Sequence, residues 1–137
     1  MNKLGDLSCN EFLTELASAA PAPGGGGGAA MAGALAAALA SMVANLTIGK
    51  EKFAECEPEV KELLKQAEAE RVRLLTLVDE DAAVFNSFMS CYKLPKTTDE
   101  EKAARTAAIR AAAKQAATVP LNIARSSFAV LKLADSW

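Results

Sequence analysis

PAPGGGGGAAMAGALAAALASMVANLTIGK, residues 21–50, decides the fold. Two prolines and five consecutive glycines lead into a run, Ala29 to Leu46, that is almost wholly apolar. Alanine is the best helix former, so the run reads as a helix. A small residue recurs every four positions: Ala29, Gly33, Ala37, Ser41, Asn45, Gly49. Such a row is expected along one side of the helix, where another backbone can approach closely. Met31, Leu35, Leu39, Met42, Val43 and Leu46 cover the other faces. A helix apolar nearly all round belongs in the middle of a bundle. Gly49 is a natural C-cap. The run is apolar enough to suggest a membrane span. However, it is mostly alanine, contains Ser41 and Asn45, and lacks an aromatic belt. The N-terminus carries Asp6, Glu11 and Glu15 where a signal peptide is basic. A buried central helix with no membrane partner is therefore expected.

The flanking sequence extends the helical reading. Ser8 and Glu11 are spaced as a capping box, and Leu7 with Phe12 as a hydrophobic staple. Phe12, Leu13, Leu16 and Ala17 give one apolar face, ended by Pro21 and Pro23. A long helix opens near Pro58 and follows Val60, Leu63, Leu64, Ala67, Leu74, Leu75, Val78, Ala82, Phe85 and Met89 to about Tyr92. A loop from Lys93 to Lys96 follows. Thr98 and Glu101 form a second capping box, and the helix they open is expected to break or kink at Pro120. No segment has strand alternation, and there is no linker or repeat. The expectation is one all-α domain over residues 1–137: a bundle with a central small-residue-rich helix and one long helix.

Composition narrows the chemistry. The chain has 137 residues and a formal charge of −2, so no basic field invites nucleic acid. There is no histidine, which removes the usual metal ligand, the usual general base and every histidine triad. The three cysteines, Cys9, Cys56 and Cys91, are odd in number and form no C-x-x-C pair. That speaks against a disulfide framework or a cysteine zinc site, and fits a reducing cytosol. No metal is expected. Catalysis must run on carboxylates, lysines, amides, hydroxyls or backbone dipoles.

Four features are candidates. The glycine run lacks the strand a dinucleotide fingerprint needs, and Gly49-Lys50 lacks the Walker spacing. Two readings stay open. The glycines permit a sharp turn and close packing, or they aim N–H groups of Gly24, Gly25 and Gly26, after Pro23, at a ligand's oxygens. The acidic triplet Asp79-Glu80-Asp81 divides by direction. At about 100° per residue from Val78, Glu80 points to water, Asp79 lies on the margin, and Asp81 falls on the apolar flank. An aspartate there is either salt-bridged to another helix or a general acid/base or substrate anchor. Lys50 either complements the helix dipole or serves a site. Asn45, in the small row, is an amide that needs partners: a neighbouring helix or a heterocycle.

The order of these motifs resembles the formiminotetrahydrofolate cyclodeaminase and methenyltetrahydrofolate cyclohydrolase family. The matching stretches are Pro21 to Gly26, Ala29 to Ala34, Met42 to Lys50, Asp79-Glu80-Asp81 with Phe85, Tyr92-Lys93-Leu94-Pro95, Arg105 and Val119-Pro120-Leu121. Gly27 stands where the family often has serine, and Phe53 where it often has tyrosine. Family members continue for several helices past the segment matching Leu131 to Ala134, so the resemblance implies a C-terminally truncated chain. It also implies an all-α cytoplasmic homodimer acting on a tetrahydrofolate derivative, with a lean towards ammonia release over hydrolysis. No other cofactor is implied. In these terms Asp81 moves protons or anchors the pterin, and Lys50 is its electrostatic partner. Pro23, Gly24, Gly25, Gly26 and Asn45 bind substrate, and Lys93 and Lys96 meet the glutamate tail. The alternative is a non-catalytic helical folate-binding or assembly module.

Overall fold

The computed structural model describes residues 3–136, and among them there is no strand. Four helices follow in order: α1 Cys9–Ala17, α2 Gly24–Thr47, α3 Glu57–Cys91 and α4 Asp99–Asp135. Short 3-10 turns occupy Leu4–Asp6 and Glu51–Cys56.

The helix ends form where local chemistry sets them. Ser8 Oγ accepts the Glu11 N–H at 3.2 Å, and the Glu11 carboxylate accepts the Ser8 N–H at 2.9 Å. Thr98 and Glu101 repeat this at the start of α4, with both bonds at 3.1 Å. Each box satisfies two donors that a bare helix start leaves unpaired. Pro58 sits in the first turn of α3, where its missing N–H costs nothing. Gly49 follows α2 at φ +84°, and its N–H donates to Glu57 Oε1 at 3.0 Å. Of the break or kink expected at Pro120, the break does not occur; α4 runs through it. Val119 and Ile123, buried on either side of the proline, tie both halves to the core. That packing outweighs the one lost backbone hydrogen bond.

The spine is α3, which packs on α2 most extensively and then on α4. Leu74 and Val78 are fully buried at the centre, with Leu77, Phe12, Val119, Ile123 and Val130 around them. Burying one such aliphatic side chain stabilises by about 1.5–3 kcal/mol. Two polar ties cross the bundle from within one turn of α3. The buried Ser41 hydroxyl donates to Glu68 at 3.0 Å, and the buried Ser126 hydroxyl donates to Glu70. Glu68 also accepts from Arg71 at 2.7 Å; that bond, then the one from Ser41, holds its carboxyl below the ordinary value.

Two expectations about α2 need correction. The row that meets the core is Gly27, Ala30, Ala34, Ala37, Ser41 and Ala44, together with Ala40. A strict four-residue step turns about 400°, so it gains about 40° each time and winds off the packed face. Ala37 and Ser41 lie on both rows, and Gly33 also packs closely, against Leu74 and Ser127, whereas Ala29 and Asn45 are exposed. Nor is α2 enclosed on all sides. Leu35, Leu39, Met42 and Leu46 are 62%, 52%, 49% and 60% exposed, which makes a second apolar stripe left uncovered among the described residues. α2 is long and apolar enough to cross a membrane, a test that core helices of soluble proteins also pass.

The two rows can be told apart by mutation. Ala37→Leu should overpack the contact with α3 and cost about 1–3 kcal/mol. Ala29→Leu, on the exposed side, should stay within about 0.5 kcal/mol. Urea unfolding of both variants checks this; equal losses would reinstate the four-residue row.

Candidate functional site

The start of α2 is a turn whose backbone favours glycine at position 24. The Ala22–Pro23 peptide is cis, Pro23 is buried, and Gly24 takes φ +64°, a left-handed conformation that favours glycine. The helix then begins with no side-chain cap. Its first N–H groups, on Gly24, Gly25 and Gly26, have no intrahelical acceptor. The Gly27 N–H donates to Pro23 O at 3.2 Å.

α3 delivers Asp81 to this turn. A Cβ built on Gly26 would stand 2.6 Å from both Cγ and Oδ1 of Asp81, and closer still to Oδ2. The carboxylate thus lies directly against the first turn of α2. Among the described residues it forms no ion pair. Burial pushes its pKa above the ordinary aspartate value, and the Gly27 N–H opposes that rise more weakly. The raised direction means that loss of water outweighs the attraction of the helix start.

Its two neighbours behave as their directions on the helix require. Glu80 is exposed. Asp79 accepts the Leu4 N–H at 2.7 Å, which fastens the N-terminal turn to α3 two residues before Asp81. A cavity of about 220 Å³ lies beside Asp79 and Glu80, with Lys3, Asp6 and Leu75 on its wall. The Asp79 anchor was missed in the sequence, where its marginal direction was the only sign of it.

The other candidates lie elsewhere. Lys50 follows the far end of α2, whose 24 residues span about 36 Å. Within one chain Lys50 therefore cannot touch Asp81. Asn45, roughly 30 Å along α2 from Gly24, is exposed and not the buried amide expected. Lys93 and Lys96 are exposed in the loop after α3. Beside that loop the Arg105 guanidinium stacks on the Tyr92 ring, 5.4 Å from its centroid, and donates to Tyr92 O at 3.4 Å. The structure brings together Pro23, the glycines and Asp81, and puts Lys50 and Asn45 towards the far end of α2.

The family model described as formiminotransferase-cyclodeaminase matches residues 8–137. This chain belongs to that family. It is 49% identical over 131 residues to the methenyltetrahydrofolate cyclohydrolase of Methylorubrum extorquens, covering 96% of this chain and 63% of that protein. It is 40% identical over 121 residues to the formimidoyltransferase-cyclodeaminase of Rattus norvegicus, covering 88% of this chain and 22% of that protein. The fold is similar to the crystal structure of formiminotetrahydrofolate cyclodeaminase from Thermotoga maritima, with a TM-score of 0.75 and 34% identity over 90% of this chain and 58% of that one. The chain thus spans less than two thirds of each of these relatives.

The carboxylate's surroundings predict a pH effect. With its folded pKa raised, Asp81 contributes stability that is full below the unfolded pKa and is lost as pH rises through the folded one. Asp81→Asn has no charge to desolvate. Thermal melts between about pH 4 and pH 7 should show wild type losing ground to Asp81→Asn as pH rises. A variant that is less stable at neutral pH would mean the charge is paired.

Proposed function

We propose that this chain acts in folate one-carbon chemistry, on a tetrahydrofolate derivative whose one-carbon unit lies between two ring-system nitrogens. Asp81 carries the reading. It is a carboxylate with no cationic partner among the described residues and a raised proton affinity, seated beside N–H groups that a substrate oxygen can use. The substrate carbon is already an electrophilic amidine or amidinium centre. The protein then needs to hold the pteridine, place the attacking group and move protons. In the hydrolytic direction water adds to the methenyl carbon, one carbon–nitrogen bond opens, and Asp81 relays the proton to the nitrogen that leaves. In the ammonia-releasing direction the second folate nitrogen adds to the formimino carbon, and the departing amine takes the proton. No resident cofactor is needed for either. Greater identity to the cyclohydrolase relative puts hydrolysis first. The setting is cytosolic, in keeping with three free thiols.

The test is the absorbance of the methenyl form, followed with and without protein, alongside ammonia release from the formimino form. Turnover of either above background is expected. Asp81→Asn should lower it by about 10² or more, the scale for losing one general acid or base. Binding without turnover would leave a folate-binding module.

We further propose that the working unit is a homodimer. The uncovered stripe Leu35, Leu39, Met42 and Leu46 needs an apolar partner, and α2 carries no charge along its length. Antiparallel pairing of two α2 helices sets the start of one beside the end of the other. Lys50 and Asn45 of one copy then reach the glycine turn and Asp81 of its mate, a meeting that helix length forbids within one chain. Mixing inactive Asp81→Asn with inactive Lys50→Gln should restore activity, up to about a quarter of wild type in a two-site dimer. No recovery after verified subunit exchange would place the two residues in separate roles.

A further inference from the structure

Five glycines in succession invite one explanation, but their surroundings differ. A Cβ on Gly25 meets nothing within 4 Å. On Gly28 it would touch the Leu16 side chain at 3.1 Å, and on Gly27 the Pro23 Cβ at 3.0 Å. On Gly26 it would fall among the carboxylate atoms of Asp81, far inside contact distance of all three. The backbone of Asp81 cannot retreat, so only its side chain can give way. Its helix is pinned on one flank by Asp79, which holds the Leu4 N–H, and from within by Val78, which is fully buried. The ionisable groups next to it on α3 are Asp79 and the exposed Glu80, and α2 offers none.

We propose that Gly26 is a positioning residue: the space its missing side chain leaves is the seat of the Asp81 carboxylate, and any side chain there drives that carboxylate off the first turn of α2. The functional consequence rests on the reading of Asp81 as the proton-transfer group. The seat itself is a property of the free protein and can be measured without substrate. Gly26 then differs in kind from Gly24, whose backbone conformation demands glycine, and from Gly25, which has open space.

The experiment compares Gly26→Ala with Gly25→Ala in the full chain. Both replace glycine by alanine in the first turns of the same helix, so helix propensity alone favours both. The Asp81 carboxyl is titrated by carbon-13 NMR in wild type and in each variant, and the melting temperature is recorded. Gly25→Ala should keep the wild-type titration and melt no lower than wild type. In Gly26→Ala the midpoint should fall back towards that of a solvated aspartate, and the melting temperature should drop despite the gain in propensity. An unchanged midpoint in a folded Gly26→Ala overturns the proposal. If Gly26→Ala does not fold, Gly26→Ala/Asp81→Ala must recover the fold, because the three atoms nearest the added Cβ all belong to the carboxylate group; failure to recover also overturns it. Turnover on the methenyl folate is a separate arm. There Gly26→Ala should lose kcat towards the level of Asp81→Asn, with a shifted pH profile and a smaller change in KM. A wild type inactive on both folates would sink the functional reading and leave the titration result standing.

Discussion

The close approach of α2 to α3 is the constraint on which the rest depends. The helices run antiparallel in one register, marked by Ser41 with Glu68, Gly33 with Leu74, Gly27 with Val78 and Gly26 with Asp81. Each step back towards the start of α2 is matched by a step towards the end of α3. Leu74 is fully buried because Gly33 offers it room; a Cβ there would stand 3.1 Å from Leu74 Cδ1. The packing that buries Leu74 and Val78 therefore also sets where Asp81 arrives. A sliding error of one turn would cost the centre of the core and the site together, so core packing and site geometry are a single specification.

The same helix explains why one side of the bundle stays apolar. A small row lets α2 lie close to α3, but it leaves the large residues of α2 pointing away. Leu35, Leu39, Met42 and Leu46 recur at steps of four, three and four, the spacing of a helix–helix seam. Exposed leucines scattered singly need no explanation, but a continuous stripe of them does. Two other outward residues, Phe128 and Leu131 of α4, are also well exposed. The described helices leave these apolar side chains uncovered.

Much of this was legible in the sequence because its causes are local. Both capping boxes, the proline at the start of α3 and the glycine after α2 act within a turn of where they stand, and each helix begins or ends there. The split of Asp79, Glu80 and Asp81 was legible for the same reason, since direction around a helix follows from spacing alone. What failed depended on distance or on competition. The four-residue row was a true pattern in the letters, yet its drift around the helix took Asn45 out to solvent. Lys50 and Asp81 were grouped by chemistry, although the length of α2 already forbade their contact within one chain. Pro120 was weighed by what it removes from a helix, without the burial of Val119 and Ile123 that holds both sides. The seat of Asp81 on Gly26 required knowing which turn of α3 faces which turn of α2, and no local rule supplies that.

The start of α2 is intrinsically weak. Glycine is less favourable than alanine by about 1 kcal/mol in a helix interior, and five in succession favour a disordered start. Tertiary contacts offset this: Pro23 against Gly27, Leu16 against Gly28, and the Asp81 carboxylate against Gly26. Such an arrangement is costly if its only purpose is to begin a helix, because a Ser or Asp cap does that with one residue, as α1 and α4 demonstrate. Close packing accounts for the glycines at 26, 27 and 28, and backbone conformation accounts for Gly24. A Cβ on Gly25 would meet nothing within 4 Å, so no contact among the described residues excludes a side chain there. The one position in the run that packing does not explain is thus the one whose backbone lies open to an approaching group, next to a carboxylate that holds its proton more tightly than an ordinary aspartate.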